Sequence, residues 1–290
     1  MVIYELGFGL WFLVNKRFCN LVIVDGYYFL YRNFFGFPGR YNSSGMNVNA
    51  LDGFSYSIQR VKRDLENSHM VVVLDSSEPT FRHLLCPGYK ADRSCPLEPQ
   101  PQLDCIEELL EAMDLPFIKK PGFEGDDLIG SLAVWFSSLS EDYSVTILSG
   151  DKDLCQLVNS QITVEDIFNR RYFSSAGVQS KFGVKPCQMI DYLTLVGDSA
   201  DSVAGVDGIG EKTAASLLQQ FGDLEGIMAN LDKVKPKVAN ALLSSMQSIE
   251  RDKQLVTIVT DLELDVCLVD LESQPICGEK VMAFKQRVFD

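Results

Sequence analysis

Two apolar runs in this chain stop abruptly at an aspartate, and a third stops just short of one. Leu21-Val22-Ile23-Val24 ends at Asp25-Gly26, Met70-Val71-Val72-Val73-Leu74 ends at Asp75, and Val145-Thr146-Ile147-Leu148 leads into Ser149-Gly150-Asp151-Lys152-Asp153. Short apolar runs bounded by turn residues read as strands buried on both faces. Helical segments lie between them: residues 27–35, and residues 49–65, where Leu51, Phe54, Ile58, Val61 and Leu65 recur at helical spacing. Strands alternating with helices make a parallel sheet covered on both sides. The carboxyl ends of such strands share one edge, where ligands bind. Asp25, Asp75, Asp151 and Asp153 would meet there. Glu124, Asp126 and Asp127 open a further amphipathic segment, and Asp198 and Asp201 follow later. Carboxylates packed that closely repel one another unless divalent cations sit between them. The pattern therefore predicts a metal-dependent enzyme.

Size and composition narrow the alternatives. A chain of 290 residues suits one large domain or two modest ones. Its net charge of −14 argues, taken alone, against a polyanionic partner, because nucleic acid is held mainly by Lys and Arg. A carboxylate cluster holding two divalent ions would lose about four units of that charge, and local pattern matters more than the sum. Two histidines and eight cysteines without any CxxC spacing make zinc or Ser-His chemistry unsupported and point to free thiols in a reducing compartment. The apolar run at 2–14 is too short to span a bilayer, and Lys16 and Arg17 lie on the wrong side of it for a secretory signal. An organelle-targeting fragment, a sequence artefact and an extra packed helix stay open for residues 1–20. Compartment is not specified beyond intracellular, and no membrane association is expected.

Each acidic motif has a plainer reading beside the functional one. One or two acids in the first turn at Glu124-Gly125-Asp126-Asp127 suit the helix dipole, whereas three at one helix start cost repulsion. Asp151-Lys152-Asp153 could be turn chemistry, as could Asp25 and Asp75 at strand ends. Jointly they are hard oxygen ligands of the kind that suit Mg²⁺ or Mn²⁺. Gly205-Val206-Asp207-Gly208-Ile209-Gly210-Glu211-Lys212-Thr213-Ala214 is either a plain helix–helix turn or a cradle whose backbone amides hold a phosphate. Helix-hairpin-helix modules grip a DNA backbone that way without reading sequence. A P-loop is excluded by spacing. Residues 79–101 carry Arg82, Tyr89, Lys90 and Arg93 with several prolines. They are either a solvated loop or a basic segment that grips a phosphate and stacks a base. After about residue 166 the pattern turns helical, over 173–182, 186–195, 214–221, 224–231 and 238–246. No linker separates the halves. The expected division is an α/β core at 21–185 and a helical region at 186–290, packed as one body.

Taken together these stretches resemble the 5′-nuclease domain at the N-terminus of bacterial DNA polymerase I and its stand-alone flap-endonuclease relatives. The resemblance runs in order through Val24-Asp25-Gly26 with Tyr31-Arg32, Val73-Leu74-Asp75, Thr80-Phe81-Arg82, and Tyr89-Lys90-Ala91-Asp92-Arg93. It continues through Pro121 to Asp127, Ser149 to Leu154, Gly197-Asp198-Ser199-Ala200-Asp201, and Gly205 to Ala214. It implies a PIN-like α/β core with a helical arch at about 79–101 and a helix-hairpin-helix module. It implies a Mg²⁺-dependent 5′→3′ exonuclease and flap endonuclease of replication or repair, with Mn²⁺ as a substitute. Asp25, Asp75, Glu124 and Asp126 would hold one metal, with Asp127 beside them. Asp151, Asp153, Asp198 and Asp201 would surround a second. Arg82, Lys90 and Arg93 would neutralise charge on the scissile phosphate. Arg32, Tyr89, Gly205, Gly208, Gly210, Lys212 and Thr213 would contact DNA, with a K⁺ ion at the hairpin. The expected partner is DNA with 5′ ends, flaps or branches, the RNA of RNA–DNA hybrids being a further substrate, and the protein is expected to be a monomer. With the chain ending at Asp290, no polymerase domain is expected to follow.

The departures from that family concern turns and not ligands. Gly125 stands where Ala is usual and should weaken that helix start slightly. Asp201-Ser202-Val203-Ala204-Gly205-Val206 lacks the usual Asn and Pro, and Arg93-Ser94-Cys95-Pro96 replaces Arg-Pro-Pro. Two other readings fit the residues: a DNA-structure-binding protein without catalysis, and a ribonuclease on the same acidic sheet.

Overall fold

The computed structural model describes residues 19–64, 69–91 and 99–290. The apolar run at 2–14, Leu65, Arg93 and Cys95 lie outside the described residues. Six strands form one sheet in the order β3-β2-β1-β4-β5-β6: β1 Asn20–Asp25, β2 His69–Val73, β3 Phe117–Ile118, β4 Ser144–Leu148, β5 Ile162–Asp166 and β6 Arg171–Phe173. The first five run parallel and β6 is antiparallel to β5. Strand order reverses direction beside β1, between β2 and β4, so the crevice at the carboxyl edge opens there. In register Asp25 faces Val73 on β2, and Val24 faces Leu148 on β4. Asp75 and Asp151 therefore emerge on either side of Asp25.

Side-chain alternation along the strands builds two cores. Leu21, Ile23, Val71 and Val73 point to one face, and Val22, Val24, Met70, Val72 and Leu74 to the other. The second face is covered by α1 (Gly26–Gly36), α2 (Asn49–Asp64) and α5 (Ile106–Ala112). Short helices α3 (Phe81–Leu85) and α4 (Gln100–Asp104) lie towards the two ends of the stretch at about 79–101 where a helical arch was expected, and residues 92–98 of it lie outside the described residues. The first face is covered by α6 (Gly125–Ser138), through Leu128, Ile129, Leu132, Ala133 and Phe136. Helices α7 (Ser175–Phe182), α8 (Met189–Val196), α9 (Glu211–Phe221), α10 (Leu224–Ala229), α11 (Pro236–Ser244) and α12 (Met246–Val256) continue that core without a break. Each fully buried Leu, Ile or Phe contributes about 1.5–3 kcal/mol.

Four elements differ from the sequence expectation. Strand β5 was not anticipated, and β6 extends the sheet past residue 166, where the pattern was expected to turn helical, so the helix expected over 173–182 starts at Ser175. Helix α12 was not anticipated. Nor was α13 (Gly278–Phe289), which packs Val281, Phe284, Val288 and Phe289 back onto the outer face of α2 and α5. Lys285–Asp52 and Arg287–Glu108 ion pairs fasten it there. The seven described cysteines are free thiols. Among the described residues no helix is long and apolar enough to cross a membrane.

Gly26 lets α1 begin directly after Asp25. A Cβ there would stand 2.8 Å from the Val73 carbonyl oxygen and 2.6 Å from Leu74 Cδ2. Gly26→Ala is expected to lower stability by about 1–3 kcal/mol, read as a shifted urea midpoint at unchanged slope. An unshifted midpoint would show that β1 and β2 are not this tightly apposed.

Candidate active site

The acids assemble from loop starts that the sheet brings together. Asp25 caps α1, its Oδ1 accepting the Tyr28 amide at 3.0 Å, while Oδ2 accepts the Ser149 hydroxyl at 2.6 Å. Ser149, at the end of β4, also accepts the Asp151 amide at 3.1 Å. One hydroxyl thus links the ends of β1 and β4. Asp151 Oδ1 accepts the Asp153 amide at 2.9 Å, turning the chain into the short helix Asp153–Leu157. Across β1, Asp75 Oδ1 accepts the Gly125 amide at 2.7 Å, which brings the start of α6 to the same edge. A Cβ on Gly125 would lie 3.2 Å from that oxygen, so glycine allows the approach at a small helix-propensity cost.

Electrostatics measures the crowding. Burial, reinforced by Asp75 and Asp151, pushes the Asp25 carboxyl up to about 7 against its hydrogen bonds from Ser149 and Tyr28. Asp126 is raised well above the usual carboxylate range by burial, then by Asp151 and Asp25, with Lys90 opposing. Burial and Asp151 push Asp153 up to about 7, with Asp198 and Asp201 adding to the rise. Asp153, Asp198 and Asp201 offer carboxylate oxygens all within 4.8 Å of one another. Asp153 Oδ1 is buried and accepts no hydrogen bond. Hard donors around a buried oxygen that has an ammonium 3.4 Å away but no hydrogen bond fit a divalent cation of the Mg²⁺ or Mn²⁺ class. Lysines stand on both flanks: Lys90 Nζ is 3.0 Å from Glu124 Oε2 and 3.8 Å from Asp201 Oδ2, and Lys152 Nζ bonds to Asp198 Oδ2.

The family model for the 5′-3′ exonuclease N-terminal resolvase-like domain matches residues 20–183, and that for the 5′-3′ exonuclease C-terminal SAM fold matches residues 184–279. This chain belongs to the 5′-3′ exonuclease family. It is 36% identical to a 5′-3′ exonuclease of Aquifex aeolicus, over 87% of this chain and 86% of that protein. It is 38% identical to the thermostable DNA polymerase I of Thermus aquaticus, over 93% of this chain and 32% of that protein. The chain thus spans about a third of the length of the polymerase relatives it matches. A bacteriophage T5 5′-exonuclease with bound zinc shares the fold at a TM-score of 0.68 and 21% identity, covering 93% of this chain and all of that one. A T5 flap endonuclease in a complex with DNA and metal ions superposes at 0.68 with 23% identity, covering 82% of this chain and 88% of that one. Membership agrees with the resemblance read from the motifs, and the acidic sheet with its helical extension is the fold expected for it.

Within this exonuclease-family fold, several expected site residues stand elsewhere than their assigned roles require. Asp127 is fully buried, and its two oxygens accept Arg82 Nη1 at 2.7 Å and Nη2 at 2.8 Å. It also accepts the Val259 amide. Arg82 is 2% exposed, and its remaining donors go to the Leu255 and Thr257 carbonyls, with Glu124 at 3.6 Å. The pair clamps α3, α6 and the chain at the end of α12 together, with the guanidinium donors engaged by protein acceptors. Tyr89 is 4% exposed and gives its hydroxyl to Glu124 and Asp201, so it offers no face for base stacking. Arg93 lies outside the described residues. Arg32 stands away from the acids, 5.6 Å above the Phe168 ring and bonded to Asn169. It lines a cleft of about 840 Å³ with Arg60, Arg170, Arg171, Tyr56 and Tyr172.

The hairpin is built as its glycines require. Gly205, at φ +67°, packs on Gly197, where a Cβ would meet the Gly197 nitrogen at 2.5 Å. Gly208, at φ +76°, and Gly210, the N-cap of α9, are exposed, with Lys212 exposed in the first turn and Thr213 half-buried. Val206 and Ile209 anchor the turn in the core. Ser202 is held at φ +59°, a left-handed conformation that Asn tolerates better. That is the position where the family's Asn is missing. Sequence reading overlooked Ser149 and Lys152 as site members, although both sit inside a motif it had singled out. It also overlooked Tyr28, whose hydroxyl bonds to Asp166 at 2.7 Å.

Two outcomes follow. Arg82→Met leaves Asp127 buried without its counter-charge and is expected to cost about 3–5 kcal/mol in chemical denaturation; a loss below 1 kcal/mol would contradict the clamp. The pH dependence has a definite sign. Asp25 and Asp153 titrate near 7 in the fold against 3.8 when unfolded. Their stabilising contribution as neutral groups is complete below pH 3.8 and lost as pH rises through about 7. With divalent ions chelated, the melting temperature should fall across that interval, and added Mg²⁺ should flatten the slope. A rise in chelator would refute the assignment.

Proposed function

We propose that this chain is a divalent-metal-dependent 5′→3′ exonuclease and 5′-flap endonuclease acting on DNA in replication or repair. The observation that carries the reading is the grouping of mutually repelling buried and half-buried acids at the switch point of the sheet. Asp25, Asp75, Glu124 and Asp126 would hold one ion, and Asp151, Asp153, Asp198 and Asp201 a second. Bound divalent ions supply a nucleophilic water at neutral pH and polarise the phosphate. Mg²⁺ is the expected ion, with Mn²⁺ as substitute.

The chain's own residues do the rest. Lys90 Nζ, beside Glu124, stands where a phosphate approaching the acids needs a counter-charge. Arg93, three residues further on, is proposed for the same role. Arg82 and Asp127 act indirectly, by fixing the start of α6 and hence Glu124 and Asp126. The exposed amides at the start of α9, with Gly205, Gly208, Gly210, Lys212 and Thr213, suit a duplex backbone, and a K⁺ ion at the hairpin carbonyls would complete that grip. Arg32, Arg170 and Arg171, interleaved with exposed Tyr56 and Tyr172 in a cleft also lined by Glu165 and by Asp64 paired with Arg60, suit a second stretch of nucleic acid. These basic patches answer the objection raised by the net charge, since steering depends on local field. A monomer working on 5′ ends, flaps or branches, and on the RNA of RNA–DNA hybrids, is the corresponding partner reading.

Asp126→Asn keeps the side-chain volume and removes a ligand charge. Cleavage of an end-labelled 5′-flap DNA in Mg²⁺ is expected to drop by about two orders of magnitude or more with an unchanged circular-dichroism spectrum. Cleavage by Asp126→Asn at the wild-type rate would sink the site assignment.

A further inference from the structure

Lys152 sits between two acids of the proposed site and reaches a third. Its ammonium bonds to Asp198 Oδ2 and stands 3.4 Å from Asp153 Oδ1. Those two residues and Asp201 form the group whose oxygens lie within 4.8 Å of one another. Asp153 Oδ1 is buried without a hydrogen-bond donor, which leaves a strong acceptor aimed at charge alone. The lysine side chain is 40% exposed, so it can swing to solvent without disturbing the core. Lys90 occupies the opposite flank, on Glu124 and Asp201.

We propose that Lys152 is a built-in competitor for the divalent cation at Asp153, Asp198 and Asp201, holding Asp153 and Asp198 until the ion displaces it. The inference rests on the divalent-metal reading above and deepens it. The Lys152 ammonium brings a single charge to two carboxylates, Asp153 and Asp198. A monovalent ion offers no more charge than the lysine already supplies, whereas a divalent ion offers twice as much at a shorter distance to oxygen. Lys152 therefore selects divalent over monovalent cations and weakens the site's apparent affinity, since each binding event must first release the ammonium. Its neighbours Asp151 and Asp153 are ligands, and the lysine between them is a positioning residue whose role is expressed in metal binding and not in contact with the reacting atoms.

The test is calorimetric titration of Mn²⁺ into chelator-stripped full-length protein without DNA. Lys152→Met is expected to bind its weaker Mn²⁺ about tenfold tighter than wild type, equivalent to about 1.4 kcal/mol. Lys152→Arg, which keeps the charge, should stay within about twofold of wild type. Lys152→Gln carries the same expectation as Lys152→Met should the latter fold poorly by circular dichroism. Two ions bound with affinities unchanged in Lys152→Met and Lys152→Gln overturn this inference and leave the metal reading standing. Equal tightening in Lys152→Arg also overturns it, because charge would then not be the cause. Absence of Mn²⁺ binding to wild type and to every variant defeats the metal reading itself, and this inference with it.

Discussion

Burying ionised carboxylates side by side is costly, and this fold concentrates that cost at one edge of one sheet. Asp25 and Asp153 are pushed towards neutrality, and Asp126 is raised well above the usual carboxylate range, by burial and by neighbouring acids. Much of the surrounding structure is arranged to make the crowding tolerable. The Ser149 hydroxyl and the amides of Tyr28, Gly125 and Asp153 each serve one of the acids. Lys90 and Lys152 neutralise the flanks. Stability left unrealised at such a site is what a bound cation can recover, which is why binding sites of this kind sit on otherwise over-determined scaffolds.

Asp126 and Asp127 show how one helix start divides two tasks. Successive residues on a helix point about 100° apart. Asp126 therefore joins the field of Asp25 and Asp151, while Asp127 turns inward to a bidentate pair with Arg82. That buried pair also gathers the Leu255 and Thr257 carbonyls and the Val259 amide. The chain after α12 is thereby fastened to the helix that presents the ligands. Distance from the acids does not make the helical part of the chain an independent attachment, because its core is continuous with the first face of the sheet.

Much of this was legible in sequence. Strands β1 and β2 announced themselves as apolar runs because both of their faces are covered, and β4 did so with Thr146 as its one interior polar residue. Strand β5 was missed because Ile162-Thr163-Val164-Glu165 alternates and is short, and β6 has one buried residue in three. Of the hairpin glycines, Gly205 and Gly208 hold a positive φ, whereas Gly210 has an ordinary φ of −92° as the N-cap of α9. The positions of Arg82 and Tyr89 could not be read, because a charged or phenolic side chain in a basic loop looks the same whether it faces solvent or a buried partner.

By itself the sequence determined the class of the sheet, the side on which the acids gather, and the residue types able to hold a hard cation. These follow from local periodicity and from where apolar runs end. Tertiary structure alone decided which acids are ligand candidates and which is a clamp. It also decided that Tyr89 is an internal hydrogen-bond donor, that Lys152 reaches Asp198, and that the last helix returns to the α/β layer. Those outcomes depend on contacts between residues 35 to 233 positions apart, and no local pattern encodes a distance of that kind.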